Sequence, residues 1–191
     1  MTGQPGSNDP AQRVFLVEDN AVVRRGIQLL VEFEPDLVVC GEAEDADEAL
    51  AKIRDLRPDL AIVDLTLKDS SGLGLIPRLR AECPQVRILV LSMHDQPRWI
   101  ELALLAGAGG YLTKDESPDQ LVHAIRQLLT GQRFLSERGL IRLGEQASLG
   151  WLASGHIPDR EDPPERPTPA RSPSAPASDR TPLKAPPSAR G

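Results

Sequence analysis

The chain has 191 residues, with 28 acidic residues against 22 Lys and Arg for a formal net charge of -6, which leaves room for one ordinary domain with appendages or two small ones. The acidic excess argues against a domain that grips nucleic acid by neutralising phosphates, and no apolar run approaches the ~20 residues of a membrane span. Cys40 and Cys83 stand far apart with no metal-ligand spacing, so both read as small apolar fillers in a reduced, cytoplasmic chain.

Met1 to Gln12 is polar, with Gly and Pro, and is expected to be neither signal peptide nor anchor; residues 1–11 are expected to be disordered. Arg13 to Val17 then reads as a first strand, closed by Glu18-Asp19-Asn20. Val23, Ile27 and Leu30 follow at helical spacing with Asn20 as a candidate N-cap. Leu37 to Cys40 is a second strand, and Asp45 with Glu48 resembles a capping box opening a helix whose stripe is Ala46, Ala49, Leu50 and Ile53. After Pro58, Leu60 to Val63 is a continuous apolar run, as expected of a strand buried on both faces, and it ends at Asp64.

Gly72 restarts a helix carrying Leu75, Ile76 and Leu79, which Pro84 terminates. Val86 to Leu91 is the fourth strand, ending at Ser92, and a helix follows from near Asp95 with Pro97 in its first turn and Trp99, Leu102, Ala103 and Ala106 on one side. Gly107, Gly109 and Gly110 end it. A short fifth strand, Tyr111 to Thr113, leads into Lys114; Ser117-Pro118 opens the last clear helix, with Leu121, Ala124, Ile125 and Leu128 on one face and Gly131 as its stop.

Five strands alternating with five helices predict a three-layer α/β/α domain around a parallel sheet. In an open parallel sheet, ligands bind at the carboxyl ends of the strands. Glu18-Asp19, Asp64, Ser92 and Lys114 all follow strand ends. Taken singly, Asp19 with Asn20 reads as a cap, Ser92 as a loop hydroxyl, Lys114 as solvated surface and Tyr111 as a core edge. Independent caps have no reason to fall at four strand ends in this order.

Together these residues resemble the receiver domain of bacterial response regulators. The resemblance rests on an acidic pair after strand 1, an Asp after strand 3 with Gly72 eight residues on, Ser92 after strand 4 and Lys114 after strand 5. The wording is similar to the NarL/FixJ (LuxR-type) family of two-component systems through Val17-Glu18-Asp19-Asn20, Asp64-Leu65-Thr66-Leu67, Leu91-Ser92-Met93-His94-Asp95 and Tyr111-Leu112-Thr113-Lys114-Asp115. The resemblance implies a flavodoxin-like fold with a parallel five-stranded sheet in the order 2-1-3-4-5, over residues 12–133. It also implies Asp64 as phosphoacceptor, with Ser92 and Lys114 contacting the phosphoryl group. A magnesium ion would be held by Glu18, Asp19, Asp64 and the backbone carbonyl of Thr66. Ser92 and Tyr111 take the switch positions, and Thr66 and His94 flank the path of attacking water, where they would tune phosphoryl lifetime. His94 and His123 lack partners at metal-ligand spacing. Asp115 stands where many receivers have Pro, so no cis peptide is expected there.

The implied function is to accept a phosphoryl group from a sensor histidine kinase or phosphotransfer protein and to signal by a conformational change to a protein output partner or through a homodimer. Apart from its own phosphorylation and dephosphorylation, no enzymatic activity is expected. NarL/FixJ-type regulators usually continue into a four-helix DNA-binding domain, and no such pattern is visible here. Residues 134–157 carry at most one weak helix, with Leu140, Leu143, Ala147 and Trp151 along one side. Residues 158–191 hold 10 of the 18 prolines and read as a disordered tail, functional or a remnant of a lost output domain. DNA binding is thus not supported by the sequence, and a transcriptional regulator acting through a divergent tail or a partner subunit is the alternative. A flavin module of the same topology is disfavoured by the acidic cluster and by an aromatic content of 3%.

Overall fold

The computed structural model describes residues 10–144. Six parallel strands form one sheet in the order β2-β1-β3-β4-β5-β6: β1 Gln12–Val17, β2 Leu37–Ala43, β3 Leu60–Val63, β4 Arg87–Ser92, β5 Gly110–Thr113 and β6 Phe134–Leu135. The helices are α1 Ala21–Glu32, α2 Ala46–Leu56, α3 Gly72–Glu82, α4 Pro97–Leu105, α5 Pro118–Leu129 and α6 Glu137–Gly144. The expected order 2-1-3-4-5 is present, extended by one strand. Among the described residues the sheet therefore has six strands, not five, because Phe134–Leu135 pairs in parallel with Gly110 and Tyr111. Two residues are too short a run for any periodicity to reveal.

Alternate side chains of each strand enter opposite layers, which divides the core in two. Phe15, Val17, Ala61, Val63, Ile88, Val90 and Tyr111 pack with α2, α3 and α4, and Leu143 of α6 joins that layer. Val14, Leu16, Leu60, Ile62, Leu89, Leu91 and Leu112 pack with α1 and α5. All four residues of β3 are buried, as the continuous apolar run demands.

Local chemistry sets the helix starts. The Asn20 side chain accepts from the amides of Val22 and Val23 at 3.0 and 3.2 Å, capping α1. Asp45 caps α2 through the amides of Asp47 and Glu48, but the return bond from Glu48 goes to the amide of Glu44, one residue before the cap. Ser117 and Pro118 take the N-cap and first helical positions of α5, although the Ser117 hydroxyl makes no capping bond. Pro97 opens α4 after Gln96.

The helix expected within 134–157 begins at Glu137, and its apolar side is Leu140 and Leu143, with Leu143 buried. Leu140 is exposed, so of that expected side only Leu143 is buried among the described residues, and the Ala147 and Trp151 positions lie outside them, as do residues 1–9 and the Pro-rich segment 158–191. β6 and α6 fold back over the β5 edge. There the Ser136 hydroxyl donates to Glu116 at 2.6 Å, Arg138 pairs with Asp115 at 3.0 Å, and Arg142 pairs with Asp95 at 2.7 Å. At the opposite edge, β2 is paired on one side only among the described residues. Lys52 reaches from α2 to the Glu42 carbonyl at 2.9 Å, Arg24 lies between Glu42 and Glu44 at 3.4 and 2.8 Å, and the β1–β2 register shifts between Val14 and Phe15. No helix of the described residues is long and apolar enough to cross a membrane.

Candidate functional site: an acidic pocket at the strand ends

With β1 and β3 adjacent and their outer neighbours on opposite sides, the carboxyl ends of β1, β3, β4 and β5 face one crevice. Among the described residues the buried polar or charged side chains are Glu18, Asp64, Ser92 and Ser136, and the first three stand at those strand ends. Glu18, Asp19 and Asp64 each offer a carboxylate oxygen within 4.8 Å of the others. Carboxylates at that spacing, with Glu18 and Asp64 buried and Asp19 half-buried, repel one another and need a counter-charge. Lys114 supplies one, its Nζ lying 2.5 Å from Glu18 Oε2 and 2.7 Å from Asp64 Oδ2.

The electrostatics of this group are a balance. Burial pushes the Glu18 pKa above the usual carboxylate range; the Lys114 ammonium opposes the rise without cancelling it, and the Asp64 charge adds to it. Burial alone would depress Lys114, but its contacts with Asp64 and Glu18 together outweigh that and hold its pKa above the ordinary lysine value. Hard oxygen donors on three converging carboxylates suit a small divalent cation, which prefers one or two carboxylates with water and phosphoryl oxygens.

The loop between β3 and α3 is shaped tightly around Asp64. The Thr66 amide donates to Asp64 Oδ1 at 3.1 Å, Thr66 pairs with Ser71, and the Gly72 amide donates to the Leu65 carbonyl at 3.1 Å. A Cβ at Gly72 would fall 1.7 Å from the Asp64 carbonyl oxygen, so α3 can start this close only with glycine. The sequence showed the Gly72 spacing; the approach of two backbones gives its cause.

Ser92 is fully buried at the end of β4, and the Lys114 amide donates to its carbonyl at 2.9 Å. Tyr111 lies inward, 1% exposed, its hydroxyl donating to the His94 carbonyl at 2.6 Å. Burial is the main reason its pKa is pushed up to about 12; the neighbouring Ser92 hydroxyl acts against the rise. Thr66 and His94, which the sequence could only place near the site, touch: Thr66 Oγ1 and His94 Nε2 are 2.9 Å apart. The imidazole is also stacked on Trp99, with ring centroids 4.6 Å apart and an angle of 19°. Trp99 is the residue that pattern reading missed, since it counts there only as part of the α4 apolar stripe. His123 lies edge-on to Phe134. No cis peptide occurs among the described residues.

The family model for the response regulator receiver domain matches residues 14–126. The chain belongs to the response regulator receiver family. Among curated relatives of this receiver, the DNA-binding transcriptional activator DevR/DosR of Mycobacterium tuberculosis is 37% identical over 131 residues, covering 69% of this chain and 60% of that protein. The nitrate/nitrite response regulator protein NarL of Escherichia coli is 34% identical over 131 residues, covering 69% and 61%. The receiver thus spans about 60% of the length of these relatives. Among solved structures, a two-component response regulator of the LuxR family from Aurantimonas sp. is 36% identical with a TM-score of 0.69, covering 71% of this chain and 97% of that one. The chain is thus a receiver domain of the NarL/FixJ type.

Proposed function

We propose that Asp64 accepts a phosphoryl group from a sensor histidine kinase or phosphotransfer protein in a magnesium-dependent reaction, and that the domain passes this state on by a conformational change. The observation that carries the reading is the buried Asp64 carboxylate, set among Glu18, Asp19, Ser92 and Lys114 at one crevice of the sheet. Asp64 Oδ attacks phosphorus as the donor's bond to phosphorus breaks, giving an acyl phosphate. Lys114, shared by two carboxylates, would take a phosphoryl oxygen as a point charge, and the Ser92 hydroxyl would donate to another. The divalent cation would be held by Glu18, Asp19, Asp64 and the Thr66 carbonyl, and it supplies neutralisation of the charge that spreads over the phosphoryl oxygens. The chain's chemistry is confined to its own phosphorylation and dephosphorylation, and its setting is the cytoplasm.

Signal output follows the switch positions. A phosphoryl group that draws the Ser92 hydroxyl favours the arrangement in which Tyr111 is inward and bonded to the His94 carbonyl, so the population shifts by the difference in contact energy between the two states. The receiver acts on a protein partner or as a homodimer. A second reading, a regulator acting on DNA through its own tail or a partner subunit, is favoured by the likeness to a DNA-binding transcriptional activator.

Incubation with a small phosphodonor and magnesium, read by intact mass, tests the chemistry. One phosphoryl adduct is expected on the wild type, with none on Asp64→Asn or in the presence of excess chelator. An equal adduct on the variant would move the site elsewhere. Gel shifts with and without phosphorylation separate the two outputs.

A further inference from the structure

His94 is held on four sides. Its ring meets Thr66 Oγ1 through Nε2 and lies on the indole of Trp99. Its carbonyl accepts from Tyr111, and its amide donates to the Ser92 hydroxyl at 3.3 Å. Thr66 belongs to the β3–α3 loop and His94 to the β4–α4 loop, so the bond between their side chains links the loops that follow Asp64 and Ser92. Thr66 is itself tied to Asp64 Oδ1 through its amide. Trp99 lies in the first turn of α4, half-buried, and its flat contact lies against one face of the imidazole whose Nε2 meets Thr66.

We propose that Trp99 is a positioning residue: by stacking on His94 it keeps the His94–Thr66 pair closed as a gate over the Asp64 carboxylate. The proposal rests on Asp64 being the phosphoacceptor. In-line chemistry requires the incoming group to approach phosphorus opposite the bond that breaks. In hydrolysis, water oxygen attacks phosphorus, the bond from phosphorus to the Asp64 oxygen breaks, that electron pair returns to the carboxylate, and inorganic phosphate and a proton leave. In phosphorylation by a small donor, the donor enters through the same outer opening. A gate therefore slows both directions together, whereas a group that assists chemistry in one direction does not.

The experiment measures the rates of phosphoryl gain from a small phosphodonor with magnesium and of phosphoryl loss after donor removal. It compares wild type, Trp99→Phe, Trp99→Ala, His94→Ala and the double variant His94→Ala/Trp99→Ala. Trp99→Ala is expected to raise both rates by roughly three- to ten-fold, the order an aromatic pair is worth. Trp99→Phe keeps a flat face and stays near wild type. In the absence of the His94 ring, Trp99→Ala adds nothing further, since its effect passes through that ring. Thr66→Val opens the pair from the other side on an exposed loop, so it raises both rates even if Trp99→Ala folds poorly. The proposal is overturned if Trp99→Ala changes the rates equally with and without His94, if only one direction responds, or if Thr66→Val leaves both unchanged. A wild type that gains no phosphoryl group overturns the Asp64 reading itself, and the gate with it.

Discussion

Two side chains near the pocket make direct physical predictions. Tyr111 is the single tyrosine of the chain, so ultraviolet titration of the phenol reports on it alone. With its pKa pushed up to about 12 by burial, the phenolate absorbance should rise well above the usual midpoint of about 10. An acid that is harder to ionise when folded contributes stability that is intact below the unfolded value near 10 and falls away as pH climbs toward 12. A midpoint near 10 in a sample whose circular dichroism is still native would mean that the ring is not held inward. Lys114 makes the second prediction. Its ammonium is the counter-charge for two buried carboxylates, so Lys114→Ala in chelator should lower the unfolding free energy by about 3 kcal/mol. Denaturant titration measures this loss, and it should shrink when magnesium is added. An unchanged midpoint in chelator would show that the carboxylates do not depend on Lys114.

At the level of single elements, the start of α3 is the most constrained. Gly72→Ala forces a Cβ into the Asp64 carbonyl, so the loop carrying the phosphoacceptor must move; a cost of about 2–3 kcal/mol and slower phosphoryl gain are expected together. Retained stability and rate would mean that α3 shifts freely. The ion pairs of Arg126 on α5 with Glu34 and Asp36 are exposed and tie that helix to the α1–β2 turn. The bond to Arg126 is the main reason the Asp36 pKa is lowered. A carboxylate with a lowered folded pKa contributes stability above the unfolded value near 3.8 and loses it as pH falls through the folded one. Arg126→Ala should therefore be slightly less stable than wild type at pH 7, the difference fading as pH falls through the lowered Asp36 value, the pair being too exposed for more. These examples also show what the sequence revealed. Strands β1 to β5 and helices α1 to α5 were legible because each carries an apolar period bounded by a breaker or a cap. The acidic pocket was legible because its residues fall at strand ends. β6 was not, being shorter than any period, and Trp99 was not, because an indole on an apolar stripe looks like core until a ring is found lying on it.

Across the whole molecule, the β6–α6 segment converts the β5 side from a bare edge into a covered one and places Leu143 in the same layer as Tyr111. Leu143→Ala should cost about 2 kcal/mol and loosen α6 first, seen as faster amide exchange there than in α5. Equal protection of both helices in the variant would show that α6 does not depend on this anchor. The two sheet edges are thus treated differently. β6 is too short to template a neighbour, whereas β2 runs for seven residues with one side unpaired among the described residues. An edge of that length is an invitation to pair with the same strand of another molecule, and proteins commonly blunt it with charge and irregular register. Here Lys52 occupies a main-chain acceptor of β2, Glu42 and Glu44 crowd the rim with Arg24 between them, and the register shift twists the strand. The consequence is colloidal: an edge furnished in this way is a poor template for a second molecule when the small acidic domain is concentrated, and because Glu42 lies level with Leu16 of β1, the charges that blunt it stand at the same carboxyl end of the sheet as the acidic pocket.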